Sequence, residues 1–188
     1  NVLRLNGVSE YLQIDDSDVF TFGNSTGDLP FSISAWIKMN DATNFTIFNK
    51  GVYNTDGEYN FRTNASDKLV FAVYDESVAD THESMVSDSA ITTHEGSWIY
   101  VTGTYDGRGG TSANAGLKLY LNDAVLASTG SDNGTYEAME NLTGKPYIGK
   151  MDSSYANGII DEVRVYNKEL TLAEVQKNYK HGKGKHKN

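Results

Sequence analysis

Asp161 stands inside the run Gly158-Ile159-Ile160-Asp161-Glu162-Val163-Arg164-Val165-Tyr166. Ile159, Val163 and Val165 fit a strand with one face in a core, and strict alternation puts Asp161 on that same side. A bare carboxylate is costly there, so it needs a partner. A metal ion or a set of backbone N–H groups would serve. Tyrosines mixed with amides and acids form a second kind of candidate. The loops Val52-Tyr53-Asn54-Thr55-Asp56 and Met151-Asp152-Ser153-Ser154-Tyr155-Ala156-Asn157 hold that mixture, as does the strand end Tyr74-Asp75. Sugar rings stack their apolar C–H faces on exposed aromatics, while Asn and Asp accept from the hydroxyls. That chemistry singles out Tyr53, Asn54, Asp56, Tyr74, Asp75, Asp152, Tyr155 and Asn157. The plainer reading of each tyrosine is a lid over the core in an ordinary polar loop.

Catalytic chemistry is poorly supplied. The acid clusters Asp75-Glu76 and Asp80 to Glu83 read as loop. Of the histidines, His82 and His94 read as solvated loop residues, and His181 and His186 fall in a basic tail. None sits beside a Ser or Asp pattern of nucleophile type. The absence of cysteine excludes disulfides, thiolate metal sites and thiol nucleophiles.

The elements that must position these residues are mostly strands. Phe31, Ile33, Ala35, Ile37 and Met39 alternate onto one face. Val2 to Leu5, Tyr11 to Ile14, Phe45 to Asn49, Glu58 to Arg62, Leu69 to Tyr74 and Trp98 to Tyr105 are further short strands. Leu117 to Leu121 meets Val125 to Ala127 across Asn122-Asp123, a hairpin signal. Pro146 to Gly149 and Gly158 to Tyr166 complete the set. Two prolines and 18 glycines fit many tight turns. Thr171 and Glu174 then form a capping box, with Leu172, Val175 and Tyr179 at helical spacing. The pattern predicts an all-β antiparallel two-sheet sandwich with one short C-terminal helix near Leu172–Tyr179. Its 188 residues suffice for one domain over 1–179. Residues 180–188 read as a basic flexible tail or linker.

Net charge is −9, and four of the 16 basic residues (Lys180, Lys183, Lys185, Lys187) lie in that tail. An acidic body argues against nucleic acid and anionic membrane as partners and suits oxygen-ligated cations. No run of eighteen apolar residues exists, so no membrane-inserted helix is expected. A start at Asn1 without methionine reads as an excised piece of something longer. The Asn-x-Ser/Thr sequons at Asn24, Asn44, Asn64, Asn133 and Asn141 carry little weight in a chain so rich in these residues.

Six segments in order resemble the laminin G-like domains of the concanavalin A-like lectin/glucanase superfamily. They are Leu5-Asn6-Gly7-Val8-Ser9-Glu10-Tyr11-Leu12, Phe31 to Ile37, Ser97 to Asp106, Leu119-Tyr120-Leu121-Asn122, Tyr147-Ile148-Gly149, and Gly158 to Tyr166 followed by Leu170 to Val175. The resemblance implies a curved jelly-roll sandwich. In related glucanases the last-strand aspartate holds a structural calcium, which implies Asp161 as the side-chain ligand with Asn6 as neighbour. The glucanases' E-x-D-x-x-E catalytic strand is missing, which implies a chain that is not an enzyme. Pentraxin-like relatives place ligand sites in the loop matching Lys150–Asn157, where Asp152 is the matching acid. Trp36, Trp98, Tyr105 and Tyr120 read as core or sheet-packing residues.

The sequence therefore points to a non-catalytic glycan-binding module of a larger extracellular, cell-surface or virion-surface protein, joined to other modules, with neutral sugars as first candidates because the body is acidic. The alternative is a structural or adhesion domain without a sugar site. Convergence of Tyr53, Tyr74 and Tyr155 on one surface would favour the first.

Overall fold

A computed structural model describes residues 2–78, 81–132 and 134–187. Asp80 of the second acid cluster and the sequon residue Asn133 lie outside the described residues. Two large antiparallel sheets face each other across the core. The six-stranded sheet runs β1 (Leu3–Asn6), β15 (Asn157–Tyr166), β3 (Phe31–Asp41), β8 (Ile99–Tyr105), β9 (Leu117–Leu121) and β10 (Ala124–Val125). The seven-stranded sheet runs β11 (Ser128–Asp132), β7 (Thr81–Ser87), β6 (Leu69–Asp75), β5 (Tyr59–Thr63), β4 (Thr46–Lys50), β12 (Pro146–Ile148) and β2 (Leu12–Gln13). A separate hairpin joins β13 (Lys150–Met151) to β14 (Ser154–Tyr155). The expected all-β sandwich is present, with one α-helix among the described residues, α1 (Leu172–Lys183).

Side-chain alternation builds the core. Phe31, Ile33, Ala35, Ile37 and Met39 point inward from β3 and meet Tyr59, Phe61, Leu69, Phe71 and Val73 of the facing sheet. Phe22 stacks on Phe31 with ring centroids 4.4 Å apart. The opposite face of β3 is also covered. Trp36, Tyr100, Tyr120, Leu170 and Val175 form a second apolar cluster between the six-stranded sheet and α1. Thr171 caps that helix, its Oγ1 accepting from the Glu174 N–H at 3.3 Å while Glu174 Oε2 accepts from the Thr171 N–H at 2.9 Å.

Three expectations need correction. First, strict alternation fails in β15. Its register with β3 shifts between Asp161 and Arg164, and Glu162 takes φ 48. An extra residue in a strand reverses the faces on either side of it. Ile160 therefore faces the core before the bulge, Val163 and Val165 face it after, and Asp161 lies on the opposite face beside Trp36. Second, the last residues are not a free tail. The helix continues past Tyr179 to Lys183, Gly182 is buried, and His186 is 6% exposed. Third, His82 and Glu83 lie in β7 rather than in a loop, and Glu83 is fully buried.

Candidate ligand-binding sites

The two loops singled out for sugar chemistry do meet. Gly51, at φ 79, lets the chain double back so tightly that a Cβ would lie 1.9 Å from the Asp56 carbonyl oxygen. The β13–β14 hairpin folds onto the outer face of the seven-stranded sheet, where Met151 Sδ lies 3.3 Å from Asn60 Nδ2. Between loop and hairpin is a cavity of about 230 Å³ lined by Asn49, Gly51, Val52, Tyr147, Lys150 and Asp152. Lys150 Nζ stands 4.6 Å, 5.2 Å and 5.9 Å from the ring centroids of Tyr11, Tyr147 and Tyr155.

The expected residues divide. Asp152 lines the cavity, and Tyr155 is half-exposed beside Tyr11 at 6.1 Å between centroids. Tyr53 packs on Tyr74 at 4.8 Å, with His82 at 5.9 Å from each. Tyr74 is 6% exposed and is hydrogen-bonded to Asn60 Nδ2, so it is a packing residue and offers no stacking face. Burial raises its hydroxyl pKa. The three tyrosines thus fall in two groups and do not converge on one surface, so this criterion favours the structural reading over the sugar one. Asp56 Oδ1 accepts from Val52 N–H at 2.7 Å, and the Asn54 N–H donates to Glu76 Oε1 at 2.9 Å. Asn157 lies away at the strand edge, its Oδ1 accepting from Asn40 Nδ2 at 3.1 Å. Asp75 is buried and accepts from Ser77 N–H, Ser77 Oγ and Glu137 N–H. Burial pushes its carboxyl up, but these bonds and one with Glu140 outweigh it and hold the carboxyl low. Glu140 is pushed the other way, by burial and by Asp75. These two acids hold a loop together, rather than flanking an open cleft as glycoside hydrolysis requires.

Beneath the loop cavity lies a buried ion cluster. Lys50 Nζ meets Asp16 Oδ1 at 2.7 Å, Glu58 Oε1 at 2.9 Å and the Gly144 carbonyl at 2.7 Å. Both Lys50 and Glu58 side chains are fully buried. Burial pushes the Glu58 carboxyl up to about 7, with Lys50 offsetting only part of it.

The calcium pair is not assembled. Asn6 pairs across the strands with Asn157, four residues from Asp161, roughly 13 Å at strand rise. Asn6 Oδ1 already accepts from the N–H groups of Val8, Ser9 and Glu10. Asp161 Oδ1 accepts from the Glu162 N–H at 2.9 Å, and its Oδ2 lies 2.9 Å from His186 Nε2. Calcium needs six to eight oxygens. The Asp161–Asn6 pair does not fit it. Ligand atoms of Asp161, Glu162 and His186 instead lie within 4.8 Å of one another, a group that could hold a metal ion, with the Asp161 carboxylate also partnered by the bulge N–H.

A second cavity was not anticipated. It measures about 520 Å³ and lies at the end of α1 on the outer face of the six-stranded sheet. Trp36, Trp98, Tyr179 and His186 supply its ring surfaces, and Lys183 and Lys187 its charge. His186 stacks on Trp36 at 4.4 Å and 8°, with its Nδ1 2.9 Å from the Gly182 carbonyl. In the sequence the lysines and histidine looked like a solvated tail, and the tryptophans like strand packing. The missed residues of the first cavity, Asn49, Tyr147 and Lys150, had a weak signal. Tyr147 alternates with the inward Pro146 and Ile148 and so faces out.

The laminin G family model described as the concanavalin A-like lectin/glucanases superfamily matches residues 6–176. None of the curated proteins matches the sequence. Among solved structures, the botulinum neurotoxin serotype G binding domain is similar at TM-score 0.63 and 17% identity. The match covers 94% of this chain and 42% of that one, so this chain spans less than half of that binding-domain chain's length. The native heptameric SAP-like pentraxin from Limulus polyphemus is similar at TM-score 0.54 and 14% identity, covering 87% of this chain and 78% of that one. At such identities the likeness is one of fold.

Proposed function

Given that the chain belongs to the concanavalin A-like lectin/glucanase superfamily, we propose that it is a non-catalytic glycan-binding module of a larger extracellular or surface protein. The observation that carries this reading is the cavity between loop 51–57 and the β13–β14 hairpin, with Tyr11, Tyr147 and Tyr155 grouped around Lys150 at its side. Its volume is below the roughly 300–1,000 Å³ of pockets for drug-sized ligands, which suits one sugar ring. Tyrosine faces take the C–H face of such a ring, and Asn49, Asp152 and Lys150 supply polar groups for its hydroxyls. Each hydroxyl exchanges a bond with water for one with protein, so the net gain per contact is small. Affinity for a neutral sugar is then on the order of micromolar to millimolar. That two structural neighbours are a toxin binding domain and a pentraxin supports a binding role for the fold.

A glycan array followed by calorimetry tests the reading. Tyr147→Ala and Tyr155→Ala should each weaken neutral-glycan binding by about tenfold, roughly 1.4 kcal/mol. Neither should move the melting temperature much, since both rings are only half-buried. No binding of any glycan at millimolar concentration would leave a structural or adhesion role instead.

A further inference from the structure

The cavity at the end of α1 has a composition opposite to that of the whole chain. The protein carries 25 acids against 16 bases. Yet the cavity is lined by Lys183, Lys187, His94 and His186 and, among the described residues, by no carboxylate. Lys185, between the two lysines, points away to Glu162 at 3.1 Å. Neither Lys183 nor Lys187 has an ion-pair partner among the described residues, and Lys183 Nζ instead stands 5.2 Å from the Tyr179 ring centroid.

The ring surfaces are equally concentrated. Trp36 and Trp98 are the only two tryptophans of the chain, and both line this cavity. Trp36 is buried and sandwiched, with Tyr179 stacked at 5.5 Å and His186 at 4.4 Å. Trp98 is half-buried and meets His186 edge-on at 4.7 Å. The Nε1–H of Trp36 is buried without a hydrogen-bond partner among the described residues. Asn122 and Ser97 add neutral polar groups to the lining. A half-exposed indole in a cavity that two lysines also line suits a ligand with one apolar face and one negative charge.

Resting on the glycan-binding reading, we propose that this cavity is a second, separate subsite for an acidic sugar, one that carries a carboxylate or a sulfate. The ring packs on Trp98, and its anion is met by Lys183 and Lys187. Net charge does not forbid this. At physiological salt charges are screened beyond about 8 Å, so local lysines outweigh distant acids. The acidic body therefore does not restrict the module to neutral sugars.

The two tryptophans make the site its own reporter. The full chain is titrated with methyl glucuronide, a methyl galactoside 6-sulfate and methyl glucoside while tryptophan emission is read. At least one acidic sugar should change the emission, with a dissociation constant on the order of millimolar, and the glucoside should not. Which acidic sugar responds identifies the anion. Lys183→Glu combined with Lys187→Glu should weaken the response at least tenfold, and Tyr147→Ala should leave it intact. If the double variant misfolds, salt takes its place: affinity should fall severalfold between 50 and 500 mM salt. An unchanged response in the folded double variant, or one insensitive to salt, overturns the proposal. Calorimetric binding of a neutral glycan with no emission change for either acid overturns the subsite alone. Binding of no sugar at all overturns the glycan reading with it.

Discussion

The cavity under the hairpin and the cavity under the helix differ in what their charged groups are doing. At the hairpin end, carboxylates are spent on the chain's own backbone. Asp56 receives the Val52 N–H, and Asp75 receives those of Ser77 and Glu137. Loops have no ladder to satisfy their N–H groups, and short acidic side chains supply the missing acceptors. At the helix end, a buried ring stack fixes the chain, and Lys183 and Lys187, which line the cavity, have no ion-pair partner among the described residues. A polar loop rich in Asp and Asn is thus weak evidence for a ligand, because the loop itself needs those oxygens. Charge left over after folding is stronger evidence.

The largest test of this contrast is Lys50→Met. It removes the ammonium that holds Glu58, Asp16 and the Gly144 carbonyl beneath the hairpin cavity. Breaking one side of a buried pair costs about 3–5 kcal/mol, read as a loss of unfolding free energy in urea. Asn49 and Gly51 flank Lys50 and line the cavity, so neutral-glycan binding should fail with it. The pair also leaves a pH signature. Glu58 titrates at about 7 folded against 4.5 unfolded, so the folded state holds the extra proton between them. Its contribution to stability falls as pH rises through that window and is flat above it. In Lys50→Met the falling limb should extend above pH 7, because only the Leu142 N–H, at 3.2 Å from Glu58 Oε1, then opposes burial. The acidic-sugar response at the other cavity should be untouched, and its loss would show that the two regions are one.

Gly182→Val acts on the other side and is smaller. A Cβ at Gly182 would lie 2.1 Å from Trp36 Nε1. Overpacking of this kind costs about 1–3 kcal/mol. Part of that is relieved if residues 182–187 lift away, taking His186 off Trp36. Tryptophan emission should shift red and the acidic-sugar response should vanish, while neutral-glycan binding stays. Retention of the acidic-sugar response would remove the helix end from the argument.

The fold was legible because its signals are local. Alternation in Phe31–Met39 and the Thr171–Glu174 capping box each lie within one element, and both appear as read. The β15 bulge was not legible, since a one-residue insertion leaves the run apolar and shows only in the φ of Glu162. The loops read from the sequence do meet at the hairpin cavity, where Asp152 lines it, but Tyr74 and Asp75 are buried away from it. Tyr74 and Asp75 read in the sequence as a strand end open to a ligand, and only the packing of Tyr53, Asn60 and Glu137 around them shows that they are buried. The helix-end cavity was invisible because Trp36, Trp98 and His186 are joined only by the return of the chain end to the sheet.

The smallest expected effect is none. Asp161 was the clearest chemical signal in the sequence, and its resemblance to a calcium ligand gave it a role. Folding gives it another. One oxygen closes the bulge on Glu162 and the other faces His186 at 2.9 Å, while Asn6 is committed to its own turn. Excess chelator should therefore leave the melting temperature where it is, and added calcium should not raise it. Asp161→Ala should instead loosen the chain end, seen as faster amide exchange over residues 182–187 with the sheets unaffected. A melting temperature that drops in chelator, and a drop that Asp161→Ala abolishes, would mean that an ion competes with His186 for the carboxylate. The chain end would then be free in the ion-bound protein, and the contrast between the two cavities would depend on the ion rather than on the sequence.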